Sequence, residues 1–223
     1  LAYQLRDYLT SLRSKLGEPT QNDEKLVKDN FPGFSMTANK LFTGLWDASK
    51  DFDTLEYRNH QLWLQALLWD PILTSHFNNY IYHKPLGYAG DFRTMNFIYD
   101  YHNQLFGESP LEKLINLYTC NIPISRSNLE RKEIWKGYIK EFAQKNAKMR
   151  IASIGCGPAR EIFELIDDGM DLRNLSFTCL DFEPKAIQFV EQQINQRPAR
   201  ENAPSIKLIT GNIRERHRIK EGL

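Results

Sequence analysis

Apolar positions recur at helical spacing from the first turn of the chain. Leu5, Tyr8, Leu9, Leu12 and Leu16 predict a helix over residues 2–16, closed by Gly17 and Pro19. Leu55, Leu62, Leu64, Leu67, Leu68 and Trp69 predict a buried helix over residues 54–69 that stops before Pro71. At Ser109-Pro110-Leu111-Glu112 a further helix starts: Ser109 caps, Pro110 suits the first turn and Glu112 reaches back. Ser127-x-x-Glu130 repeats the capping pattern ahead of one apolar face, Ile134, Trp135, Tyr138, Ile139 and Phe142. Lys, Arg and Glu on the other side of that helix read as a solvated face. The first 145 or so residues are therefore expected to be mostly helical.

Near residue 146 the pattern changes. Asn146-Ala147-Lys148 reads as a polar turn, and Met149-Arg150-Ile151-Ala152-Ser153-Ile154 as a short strand. Gly155-Cys156-Gly157-Pro158 follows at once, then a helix from about Ala159 to Asp168. Leu175 to Leu180 predicts a second strand ending at Asp181, Pro184 opens a helix with Ile187, Val190 and Ile194, and Ile206 to Thr210 predicts a third strand closed by Gly211-Asn212. Strands alternating with helices predict an α/β fold with a doubly wound parallel sheet.

Charge narrows the range of functions. The 29 Lys+Arg against 28 Asp+Glu give a formal charge of +1. No positive excess exists to release counterions, so no nucleic-acid partner is expected. The basic tail Arg214, Arg216, His217, Arg218 and Lys220 is interrupted by Glu215 and Glu221 and reads as a solvated helix face. No apolar run spans a membrane. Cys120, Cys156 and Cys179 form neither a disulfide framework nor a C-x-x-C pair, so a reducing, cytoplasmic compartment is expected. His76, His83 and His102 share one region without a metal-binding spacing, so no metal is expected. Cys156 reads as a small buried thiol rather than a nucleophile.

The glycine loop carries the most chemistry. It lies between a strand and a helix, where glycines let the backbone approach a ligand and the helix start offers unpaired N–H groups. Asp181, at the end of the second strand and 26 residues after Gly155, suits two ribose hydroxyls. A dinucleotide fingerprint needs a third glycine, and Arg160 stands there instead, which favours a ligand without phosphates.

These residues also carry a family resemblance. Ile154-Gly155-Cys156-Gly157-Pro158-Ala159-Arg160-Glu161 resembles motif I of class I S-adenosylmethionine-dependent methyltransferases. Asp181-Phe182-Glu183-Pro184 resembles their second motif and Gly211-Asn212-Ile213 their third. Lys84-Pro85-Leu86-Gly87-Tyr88-Ala89-Gly90-Asp91 resembles a K-P-x-G-Y-A-G-D element of a bacterial subgroup that joins a helical N-terminal region to a methyltransferase domain. Some members of that subgroup are associated with making 3-hydroxy fatty acid methyl esters. The resemblance covers about residues 70–213.

It implies a helical cap region over residues 1–145 and the first half of a Rossmann-like methyltransferase domain over residues 146–223. Gly155 and Gly157 would pass under the methionine part of S-adenosylmethionine, with Cys156 and Pro158 completing the loop. Asp181 would hold the ribose and Phe182 lie against the adenine. Asn212 would stand beside the adenine amino group, where the family usually has Asp. The stretch Tyr80–Asp91 admits two readings. It is a lid, with Tyr88 facing the sulfonium, Asp91 the ammonium, and Arg93 or Arg126 the carboxylate; or it is a turn packed by aromatics, with Asp91 capping the next helix.

The expected acceptor is a small molecule with a carboxylate or hydroxyl, fatty-acid-like in the subgroup. A carboxylate needs no general base; for a hydroxyl, His83 is the first candidate. Family members have seven strands, so a chain that opens at Leu1 and ends after three is expected to be truncated, poorly stable and inactive alone. The alternatives are a non-catalytic module that senses S-adenosylmethionine and a nicotinamide-dependent oxidoreductase.

Overall fold

The computed structural model describes residues 1–145 and 148–218. The turn expected at Asn146-Ala147 and the tail residues Lys220 and Glu221 lie outside the described residues. The fold is mixed α/β, helices with one three-stranded parallel sheet. It divides into two compact units, Leu1–Ala89 with Phe97–Ser125, and Gly90–Asn96 with Arg126–Leu223.

The first unit is helical. Helix α1 (Ala2–Leu16) buries Leu5, Leu9, Leu12 and Leu16 on one face. They share a core with Val27, Phe34, Ala38 and Leu41 of α2 (Asp23–Ala48), Leu68 of α3 (Thr54–Leu73) and Leu111, Leu114 and Ile115 of α6 (Pro110–Asn121). Helix α4 (His76–His83) and the second half of α5 (Phe92–Tyr101) complete the helices between α3 and α6.

The helices of this unit depart from the sequence expectation at three points. Helix α3 does not stop before Pro71 but ends at Leu73. Pro71 falls in its last turn, where the missing N–H costs a single bond. Nor is α3 a buried helix: Leu68 and Pro71 are buried, whereas Leu55, Leu62 and Trp69 are exposed. Apolar residues on every side of a helix cannot all face one core. Glu112 does not close a reciprocal box with Ser109. Ser109 Oγ accepts the Glu112 N–H, but the Glu112 carboxylate accepts from the N–H groups of Glu108 and His76.

The second unit holds the sheet. Helix α7 (Pro123–Gln144) begins at Pro123, so Ser127-x-x-Glu130 lies inside it rather than at its start; proline at the first position is itself a start signal. Of the apolar face expected on α7, Ile139 is buried and Phe142 packs beside it, while Ile134, Trp135 and Tyr138 are exposed. Strands β1 (Met149–Ile154), β2 (Leu175–Asp181) and β3 (Ser205–Thr210), with helices α8 (Arg160–Asp167) and α9 (Pro184–Asn195), fall within a residue of their expected bounds. The strands are parallel in the order β1-β2-β3.

One sheet face presents the register rows Ile151-Phe177-Ile206 and Ser153-Cys179-Leu208. Its apolar members share a core with Ile139 and Ala143 of α7, Ile162, Phe163, Leu165 and Ile166 of α8, and Ile187 and Val190 of α9. The other face carries Arg150-Ser176-Ser205, Ala152-Thr178-Lys207 and Ile154-Leu180-Ile209. No member of these rows joins that core, and Arg150, Ala152 and Ile154 are exposed. No helix among the described residues is long and apolar enough to cross a membrane.

Candidate functional site

The chain leaves β1 through a left-handed turn. Gly155 has φ 65°, Gly157 φ 52° and Ala159 φ 48°, and Ala159 is the N-cap of α8. A Cβ built on Gly155 or Gly157 would meet nothing within 4 Å. Glycine is thus required there by backbone conformation, and the space beside it stays open. The N–H groups of Gly155 and Cys156 both reach Leu180 O, at 2.8 and 3.1 Å, which holds the loop over the end of β2.

Asp181 ties these strand ends together. It is buried at the end of β2. Its Oδ2 accepts the Gly157 N–H at 2.9 Å and its Oδ1 the Glu183 N–H at 3.0 Å. Its carbonyl accepts the Gly211 N–H at 2.9 Å, bringing in the end of β3. Asn212 follows, exposed, with Oδ1 accepting the Arg214 N–H as the chain enters a short 3-10 helix, Ile213–Arg218. Phe182 is exposed beside Asp181, and the Glu183 carboxylate caps α9. Gly155, Cys156, Gly157, Asp181 and Asn212 are thereby assembled through direct bonds or chain adjacency. Pro158 is buried within the loop.

The titratable groups around the loop are perturbed. A hydrogen bond to Cys179, together with burial, pushes the Cys156 thiol far up, so it stays protonated. Burial pushes the Glu161 carboxyl above its ordinary value. One turn on, burial also opposes ionisation of Glu164, but hydrogen bonds from Lys132 and Lys136 of α7 outweigh it and hold that carboxyl low. The helix face expected to be solvated therefore anchors α8.

The remaining candidates are less tightly joined. Lys84 ends α4 in a left-handed cap with φ 44°, so Tyr80 to His83 are helical and the turn is confined to residues 84–91. Tyr88 belongs to the first unit and Asp91 to the second. Asp91 is buried, and its Oδ1 accepts the N–H groups of Arg93 and Thr94 at 3.0 and 2.9 Å, the geometry of a helix cap. Arg126 is exposed in the first turn of α7. No hydrogen bond or ion pair among the described residues links it to the loop.

The three histidines have separate surroundings. His76 Nδ1 bonds Glu112, His102 Nδ1 donates to Tyr99 O, and His83 lies edge-on to Trp69 and Tyr82. Among the described residues no three His, Cys, Asp or Glu side chains gather as a metal-ligand set.

Two contacts were not legible in the sequence. Arg160, the first residue of α8, donates from its guanidinium to Asn96 Oδ1 at 3.0 Å. Phe92, four residues before Asn96 and on the same side of α5, packs on Phe189 of α9 at 5.4 Å between ring centroids. Such contacts between distant segments leave no local signature; the aromatic spacing in α5 is the only hint.

The arrangement offers open space over two glycines, a buried carboxylate at the strand ends, an exposed aromatic ring and an exposed amide. Together these suit a ligand with vicinal hydroxyls and a flat ring. The chain matches no protein-family model, no curated protein and no solved structure.

Proposed function

We propose that this chain binds S-adenosylmethionine at the carboxyl ends of β1, β2 and β3, as part of a Rossmann-like methyltransferase acting on a small-molecule acceptor. The observation that carries the reading is the Gly157–Asp181 bond beside open space. Each Asp181 oxygen accepts one backbone N–H, and a carboxylate has about four lone-pair sites, so capacity remains for two ribose hydroxyls. Gly155 and Gly157 admit the close approach of an uncharged chain. The exposed Phe182 ring offers a face for adenine, and Asn212 Oδ1 keeps a second lone pair for its amino group.

When bound, the cofactor supplies a methyl group on a positively charged sulfur. The protein then aligns the acceptor and excludes water. A carboxylate acceptor, with a reference pKa of about 4, is ionised at neutral pH and asks for no base.

Equilibrium dialysis with methyl-labelled S-adenosylmethionine tests the reading. Retention that S-adenosylhomocysteine displaces and NAD does not would support it. Displacement by NAD alone would replace it with a nicotinamide site.

A further inference from the structure

The segment Gly90–Asn96 belongs to the same unit as the sheet, although it lies more than fifty residues before β1. Within that unit it carries its own helix cap and is attached at two points. Asp91 caps the start of α5 through the Arg93 and Thr94 N–H groups. Phe92, which is buried, packs on Phe189 of α9. Asn96, one helical turn later, accepts the Arg160 guanidinium. Arg160 immediately follows Ala159, the left-handed N-cap of α8. Alanine is strained in the left-handed region, so something must hold the turn in place. The Arg160–Asn96 bond acts one residue away from that strain.

We infer that Arg160 and Asn96 are positioning residues for the cofactor loop: by fixing the first turn of α8 against α5, they hold Gly155–Ala159 in the conformation that receives the ligand. The choice of ligand rests on the methyltransferase reading; the effect on the loop does not.

Hydrogen exchange of the whole chain tests the inference without ligand. The amides of Gly155, Cys156, Gly157, Ala159 and Ile162 are all hydrogen-bonded, and their protection reports the loop. In Asn96→Ala their exchange is expected to quicken about tenfold, as loss of one charge-assisted bond implies, while β1, β2 and β3 keep their protection. Asn96→Asp, which retains the acceptor and adds a charge, should restore it. S-adenosylhomocysteine affinity should weaken about tenfold in Asn96→Ala and recover in Asn96→Asp, with the melting temperature little changed.

Unchanged loop exchange in Asn96→Ala, a rise shared by the strands, or no recovery in Asn96→Asp would each overturn the inference. If loop exchange responds as expected but no variant, nor the wild type, binds S-adenosylhomocysteine, the positioning role stands and the choice of ligand falls.

Discussion

The backbone N–H of Gly157 donates to Asp181 Oδ2 at 2.9 Å, tying the turn after β1 to the last residue of β2. Asp181 Oδ1 at the same time accepts the Glu183 N–H that opens the next connection. One buried carboxylate thus fixes two loops at the carboxyl ends of adjacent parallel strands, where open α/β sheets bind their ligands.

Replacing Asp181 by Ala leaves two backbone N–H groups without their acceptor. Each costs about 1–3 kcal/mol when left unsatisfied. Urea denaturation should show a loss of about 2–6 kcal/mol for Asp181→Ala and a smaller one for Asp181→Asn, which keeps a single carbonyl oxygen. Equal stability of all three proteins would mean that the carboxylate does not organise the loops.

At Gly155 and Gly157 the requirement is conformational, since no atom lies within 4 Å of a Cβ at either position. Gly157→Ala should cost about 1–2 kcal/mol, the left-handed penalty, and Gly157→Asn less, because Asn tolerates that region. Gly107 makes an internal contrast. A Cβ there would come within 2.8 Å of Glu112 Cγ, at a φ of 135°. Gly107→Ala should therefore destabilise more than Gly157→Ala in the same thermal melts.

The Glu164 carboxyl lies below its ordinary value of 4.5 because Lys132 and Lys136 hold it against the opposing effect of burial. A carboxylate with a depressed native pKa contributes stability above its unfolded value and loses it as pH falls through the native one. The stability difference between wild type and Glu164→Gln should be constant near neutrality and shrink below about pH 4. A difference that does not change with pH would assign Glu164 a packing role alone.

His76 has the opposite sign. Its hydrogen bond to Glu112 at 2.6 Å raises the imidazole above its ordinary 6.5. That contribution is complete below 6.5 and is lost as pH rises through the raised native value. Thermal melts should show wild type losing its advantage over His76→Gln on going from slightly acid to alkaline buffer. An advantage that persists in alkali would mean the neutral ring bonds Glu112 equally well.

Much of the second unit could be read from the chain because its elements are short and locally marked. The strands are apolar runs bounded by turn residues, Gly155 and Gly157 punctuate β1, and Pro184 marks the start of α9. The helices of the first unit were harder to bound. A proline and a capping pattern each misled once: Pro71 stands in the last turn of α3, where it is tolerated, and Ser127-x-x-Glu130 lies inside α7, which starts at Pro123. Periodicity also overstated burial. Ile134, Trp135 and Tyr138 lie on the same flank as Ile139 yet remain exposed. At the site, Asp181 and the glycines announced themselves by position. Asn96 did not, because its meaning depends on Arg160, 64 residues away.

The most direct test of the account is calorimetric titration of the chain with S-adenosylhomocysteine, beside Asp181→Ala and an NAD control, with folding of each protein checked by circular dichroism. Wild type is expected to show saturable one-to-one binding, weakened at least tenfold in a folded Asp181→Ala, and no heat with NAD. A folded wild-type chain that ignores S-adenosylhomocysteine, or an Asp181→Ala variant that binds it as tightly as wild type, would rule out a cofactor site at these strand ends.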